Sequence, residues 1–325
     1  MPQEIRFATF NVYNLAPPGA KLYDNLLPLT AAEYEAKLDW TARQLDLLDA
    51  DVIGFQEVFA QPVLDQVLAR TRRYRAAQHA GFDADPGNGR LTPGVALVSR
   101  LPLAGPAVEY PAFPAGVTLP PGSGDGDCFA RPVLHARIVL PDRAIAEVLV
   151  VHLKSRRPDY RNGACSTEAL PHALANLRSL IRRGTEAVAL RVLLSGLPRG
   201  APRVVLGDFN DVANSVTTAI VLGTASCLPG QEWAERLFDS QQIQLRQDQL
   251  RYAGYSNIHD GHCMTIDHIL VSEEFHPASP RAIGEVLDVI CLNDHLLQAR
   301  PEVSDHGQVV ARVRLYGAGE PAGGA

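Results

Sequence analysis

Short β-branched apolar runs alternate along this chain with longer stretches whose apolar residues recur every three or four positions, the pattern of a domain that mixes strands with helices. Residues 5–12 alternate towards a short strand. Thr30-Ala-Ala-Glu33 is a capping-box pattern, and Tyr34, Leu38, Ala42, Leu45 and Leu48 follow at helical spacing, so an amphipathic helix is predicted that ends before a strand at 51–56. Pro62 suits the start of a second helix, with Val63, Leu64, Val67 and Leu68 facing inward. Further strands are predicted at 94–99, at 133–140 and 147–153 as a hairpin turned at Pro141-Asp142, and at 203–206. Leu170, Leu174, Leu177, Ile181, Val188 and Val192 mark one long helix, or a pair meeting near Gly184, where glycine weakens a helix interior by about 1 kcal/mol. Final strands at 266–271 and 309–315 flank a loop with two Asp-His pairs.

The stretches 13–30 and 111–127, dense in Pro and Gly, read as loops, and 215–262 is the least legible region, with a helix expected near Trp233. No internal repeat is visible. The polar motifs draw on both ends of the chain, so a single domain over 1–317 is expected, with a Gly-rich tail at 318–325. The pattern alone fits several α/β or α+β layouts.

Candidate chemistry sits where the apolar runs stop. The motifs are FNVYNL near the start, FQEV at 55–58, VHLKS from 151, VVLGDFND from 204, TIDHILVS from 265 and SDHG from 304. A strand buried by a Val-Val-Leu run exposes its first polar residues at its end, and polar side chains collected at one sheet edge make a site. Carboxylates, amides and imidazoles without paired cysteines suit Mg²⁺ or Mn²⁺ better than zinc. Taken singly, each motif has a bland reading. Glu57 before a helix decorates a dipole, GDFND forms an Asx-turn, Asn11 sits in a strand-end turn, and a lone histidine is structural.

Together and in this order, the six motifs resemble the endonuclease/exonuclease/phosphatase superfamily of metal-dependent phosphoesterases, over about residues 5–315. The resemblance implies a four-layer sandwich of two packed mixed β-sheets flanked by helices. It also implies phosphodiester hydrolysis by an activated water in line with the leaving oxygen. Glu57 then becomes the leading metal ligand, with Asp305 as ligand or water-holder and Asn11 contacting the metal water or a neighbouring carboxylate. Asp208 accepts the proton of the attacking water, Asn210 donates to phosphate, and His152 and His306 stabilise the transition state. Asp267 orients one of the two histidines. Arg131, Lys154 and Arg156 are candidate phosphate contacts, and Asp305-His306 is preferred to Asp294-His295 because a strand follows it. His268, beside Asp267 on a strand, points to the opposite face.

Net charge is −6, which excludes a protein that coats nucleic acid by bulk electrostatics. The basic clusters at 69–75 and 178–184 read as solvated faces, whereas 153–161 follows a motif histidine and reads as a phosphate contact. Cys128, Cys165, Cys227, Cys263 and Cys291 form no C-x-x-C pair and are read as buried or idle thiols in a reducing compartment. With no leader-like or membrane-spanning run, a cytoplasmic protein is expected. TIDHILVS lacks the Trp-Cys-Asp-Arg motif of the family's inositol phosphatases, and His268 replaces the aromatic of its apurinic endonucleases. A general DNA or RNA nuclease is therefore preferred to a lipid or small-molecule phosphoesterase, and both to a non-catalytic binding protein.

Overall fold

The computed structural model describes residues 3–83, 90–121, 126–161, 167–223, 233, 235–245, 254–298 and 300–317. Its strands are β1 (Gln3–Leu15), β2 (Val52–Val58), β3 (Gln78–Gly81), β4 (Gly94–Ser99), β5 (Val108–Ala112), β6 (Cys128–Val139) and β7 (Ile145–His152). They continue with β8 (Arg203–Asp208), β9 (Leu237–Asp239), β10 (Asn257–His259), β11 (His262–Met264), β12 (Asp267–Ser272), β13 (Gly284–Leu292) and β14 (Gln308–Leu315). The helices are α1 (Ala31–Leu48), α2 (Gln61–Arg70), α3 (Ala169–Ser195), α4 (Val216–Leu222) and the single turn α5 (Ser240–Ile243).

Two six-stranded sheets result, in the orders β13-β14-β1-β2-β4-β3 and β5-β6-β7-β8-β12-β9, with β10-β11 as a separate ribbon. Each sheet has a parallel centre, β1 with β2 and β7 with β8, joined through one helix as parallel strands require. Every other pairing is antiparallel. The two orders correspond position by position, so the architecture repeats although the sequence does not.

The central strands are buried on both faces, so Phe7, Val52, Leu97, Val150, Leu206 and Ile269 fill the layer between the sheets. Burying each such side chain stabilises the fold by about 1.5–3 kcal/mol. Gly54 lets the sheets approach, since a Cβ there would lie 2.8 Å from that of Leu206. Outside the first sheet, Phe10, Ile53 and Phe55 pack with Leu38 and Leu45 of α1 and Leu64 of α2. Outside the second, Leu149 and Val205 meet Leu190 and Leu194 of α3 and Val221 of α4. This is the expected four-layer sandwich.

The α1 capping box is present, with Thr30 Oγ1 accepting from Glu33 N and Glu33 Oε2 from Thr30 N at 2.8 Å. Residues 169–195 form one helix straight through Gly184. Strand β13 falls within the stretch read as loop, because a bulge between Val286 and Asp288 breaks its alternation and its charges pair with β14. The helix expected near Trp233 lies largely outside the described residues, and Trp233 itself is in a turn; the tail at 318–325 also lies outside them. Of the three cysteines described, all free, Cys291 is buried, Cys128 half-buried and Cys263 exposed. Among the described residues, no helix is long and apolar enough to cross a membrane.

Candidate active site

The topology brings the predicted motifs to one end of the sandwich. Asn11 and Glu57 lie at the ends of the parallel pair β1 and β2, and His152 and Asp208 end the parallel pair β7 and β8 in direct register. Strand β12 runs antiparallel to β8, so its first residue, Asp267, pairs with the last of β8, Asp208. Strand β14 is antiparallel to β1, which brings His306, two residues before it, to the same edge.

At the centre, Asp208 Oδ2 lies 3.4 Å from His152 Nε2 and 3.9 Å from His306 Nε2. Asn11 Nδ2 donates to Asp208 Oδ2 at 3.1 Å and, more weakly, to Glu57 Oε1 at 3.4 Å. The Asn11 oxygen accepts from Tyr13 N, so the amide presents nitrogen, not oxygen, to the two carboxylates. Glu57 Oε2 accepts from Asn14 N, and Asp208 Oδ1 from Asn210 N at 2.7 Å. The partner of Asp267 is His306, whose Nδ1 lies 2.8 Å from Asp267 Oδ2. Ser256 donates to the same oxygen at 2.6 Å.

Several backbone conformations here are strained. Tyr13, Asn14, Glu57 and Asn210 have φ of 52°, 57°, 62° and 52°, each a cost of about 1–3 kcal/mol that clusters where geometry is functional. Gly207 is required by contact, because a Cβ on it would lie 2.3 Å from the Val151 carbonyl of the adjoining strand.

Burial shapes the electrostatics. It pushes the Asp208 carboxyl up to about 7, reinforced by Asp267 and opposed by His306 and by the bonds from Asn210 and Asn11. Burial disfavours the His306 imidazolium, yet the Asp267 and Asp208 carboxylates outweigh it and raise the ring well above its ordinary value. His152 moves the other way, lowered by burial and then by Arg131.

Other predicted residues are arranged less directly. Asp305 lies at the rim with its side chain 56 % exposed, 4.0 Å from His306 Nε2. Arg131 bonds the Leu153 carbonyl, and Asn210 Nδ2 reaches the same oxygen at 3.0 Å, keeping one N–H in hand. Lys154 Nζ contacts the Ser155 hydroxyl at 3.3 Å, and burial followed by Arg131 lowers its ammonium to about 8. Arg156 pairs with Asp211 and bonds the Asn210 carbonyl at 3.1 Å, which commits it to the loop after β8. Asp211 also accepts from Arg183 and Thr217, while the cap of α4 is Ser215. The cluster at 178–184 is thus no solvated face: Arg183 is buried, and Arg182 pairs with Glu186. His268 points away from the site, to Asp239, and His295 supports it through the His306 carbonyl.

Two participants escaped the motif reading. Ser256 carries no sequence signal. Lys37 does, since it is a charge on the apolar arc of α1 between Tyr34 and Leu38. It is fully buried, its Nζ has no hydrogen-bond partner, and it lies between the Tyr13 and Trp40 rings at 5.6 and 5.7 Å.

The donors suit a hard cation. Asp208, Asp267 and His306 bring ligand atoms within 4.8 Å of one another, a group that can hold a metal ion. Asp267 Oδ1 is buried without a partner. Because Asp267 and His306 are bonded to each other, the carboxylates most available to a cation are Asp208 and Glu57, which Asn11 bridges.

A two-sheet sandwich with a carboxylate and histidine site at the ends of its central strands defines a class of hydrolytic phosphoesterases. The chain belongs to the Endonuclease/Exonuclease/phosphatase family, whose sequence profile matches residues 8–306. That family generally uses divalent metals. No curated protein matches the chain by sequence. Among solved structures, a family protein from Leptotrichia buccalis is similar at 17 % identity and a TM-score of 0.56, covering 95 % of this chain and 99 % of that one. D. rerio TDP2, complexed with single strand DNA product, is similar at 14 % identity and 0.56, covering 95 % and 98 %. The human Nocturnin catalytic domain with bound sulfate anion is similar at 15 % and 0.55, covering 96 % and 95 %. At these identities the likeness is one of fold.

Proposed function

We propose that this protein is a divalent-metal-dependent phosphodiesterase acting on DNA or RNA, with residues 1–317 working as one domain in the cytoplasm. The observation that carries the reading is the buried constellation of Asp208 between His152 and His306, with the His306 ring bonded to Asp267. Phosphodiester hydrolysis needs an activated water, charge compensation on the phosphoryl oxygens and help for the departing oxyanion. Asp208, poised at about 7, takes the water's proton. The imidazolium of His306 donates from Nε2 to a phosphoryl oxygen, with Asp267 and Ser256 fixing its ring. Asn210 offers its remaining N–H alongside, and Arg131 and Lys154 supply positive charge at the rim.

Glu57 would hold Mg²⁺ or Mn²⁺, with Asp305 holding a coordinated water. When bound, the metal supplies Lewis-acid charge compensation and lowers the pKa of water. Asn11 is a positioning residue that sets the Glu57 and Asp208 carboxylates, and Arg156 positions Asn210 through its carbonyl. The nucleic-acid assignment is supported by the DNA-bound TDP2 neighbour and by the basic residues beside His152.

The test is hydrolysis of plasmid, single-stranded DNA, RNA and bis-nitrophenyl phosphate by wild type and Asp208→Ala, with Mg²⁺, Mn²⁺ or chelator. Metal-dependent cleavage of nucleic acid, lost in the variant, supports the proposal. Cleavage of the small diester alone keeps the mechanism and moves the substrate to a lipid or metabolite phosphoester; silence on every substrate rejects catalysis.

A further inference from the structure

Helix α3 is amphipathic the wrong way round over much of its length. Ser179, Arg183 and Glu186 point inward and are buried. Ser179 donates to the Arg157 carbonyl at 2.6 Å, Arg183 to Asp211 at 3.3 Å, and Glu186 accepts from Ala130 N and Lys154 N at 2.9 and 2.7 Å. These bonds prevent the helix from rolling. The face left towards solvent carries Leu170, 70 % exposed, and Leu174, Leu177, Leu180, Val188 and Val192, each between 40 and 48 % exposed.

Leu170, Leu174, Leu177 and Val188 on this face, with the half-buried Ile181 and Gly184 between them, are spaced four, three, four, three, four, the interval that keeps one seam facing a second helix. We propose that this face is a self-association seam, on which a second copy of the chain lays its own α3 antiparallel across a two-fold axis near position 179. Such a layering sets Leu170 against the smaller Val188, Leu174 against Gly184 and Leu177 against Ile181. Gly184 leaves the room this needs, since a Cβ there would touch nothing within 4 Å. A parallel pair would stack glycine on glycine and leave a void. Leu180 flanks the axis and meets its own copy, as an isologous contact requires.

A lipid surface fits less well. Interfacial helices present free basic residues beside the apolar face, whereas Arg178 is turned to the Asp159 carbonyl, Arg182 to Glu186 and Arg183 to Asp211. From Leu170 to Val192 the seam is about 33 Å long and roughly 10 Å wide. Two copies then cover on the order of 660 Å², below the roughly 1,200 Å² of a standard interface, so the dimer is weak and exchanging. A Kd of about 10–100 µM is expected.

The inference is independent of the catalytic reading. Sedimentation velocity of the whole chain from about 1 µM to about 1 mM brackets that Kd. Wild type should pass from monomer to dimer, and Leu177→Glu should remain monomeric with unchanged circular dichroism. Leu170→Glu and Val188→Lys should each weaken association alone and recover it when mixed, which antiparallel pairing alone allows. The proposal is overturned by a wild type that stays monomeric throughout, by a Leu177→Glu protein that dimerises like wild type, or by failure of the mixture to recover. Flotation of monomeric wild type with phosphatidylcholine vesicles, lost in Leu177→Glu, would likewise overturn it and assign the face to membrane contact.

Discussion

Lys37→Met should stabilise the protein at neutral pH, and by an amount that depends on pH in a defined way. Burial lowers the Lys37 ammonium from 10.5 to about 8, against the attraction of Asp305, Glu57 and Glu302. That difference corresponds to a cost of about 3 kcal/mol on folding with the charge in place. Between pH 8 and 10.5 the unfolded chain binds more protons at this position than the folded one, so the penalty is present below the folded value and is relieved as pH rises towards the unfolded value. Methionine has similar volume, replaces the ammonium contacts with thioether contacts to the Tyr13 and Trp40 rings, and carries no charge to desolvate. Urea unfolding in chelator should place the variant about 3 kcal/mol above wild type at pH 7, with the gap falling to about 1 kcal/mol or less by pH 10. Other groups titrate equally in both proteins and cancel in the difference. A variant less stable than wild type at pH 7, or a gap unchanged between the two pH values, would refute the reasoning. The former would mean that an unseen partner satisfies the ammonium, the latter that packing and not charge separates the proteins.

Four further outcomes are expected. Asp208→Asn should lower kcat by about 10²–10⁴ while leaving the unfolding midpoint in place or higher, because a carboxylate that burial disfavours is removed. Glu57→Gln should raise the metal concentration for half-maximal rate by about tenfold or more, read by Mn²⁺ titration. Asp267→Asn removes the charge that raises His306, so the alkaline limb of the kcat profile should move to lower pH; an unmoved limb would mean that His306 is not the group observed. Gly207→Ala should destabilise by about 1–3 kcal/mol or more in urea, since its Cβ meets strand backbone that has no room to yield.

What the chain determined by itself was largely local. The capping box at Thr30, the buried run before Gly207 and the polar residues at strand ends follow from periodicity and from the need to bury apolar faces, which act within a few residues. Asp208, His152, Asp267 and His306 were visible for the same reason, because each follows or opens an apolar strand. The order of their motifs supplied the family. Contacts between distant positions were decided only by the packed sheets. Pairing of Asp267 with His306 depends on β12 and β14 lying in different sheets with their starts at the same end, and no local rule states that. Arg156 reads as a phosphate contact until Asp211 is placed beside it, and Arg183 reads as solvated until α3 turns it inward. The leucines of α3 marked a helix by their spacing, without saying which way its apolar face looks. Spacing reports that a face is apolar, and only the anchoring of the opposite face by buried hydrogen bonds decides which way that face looks.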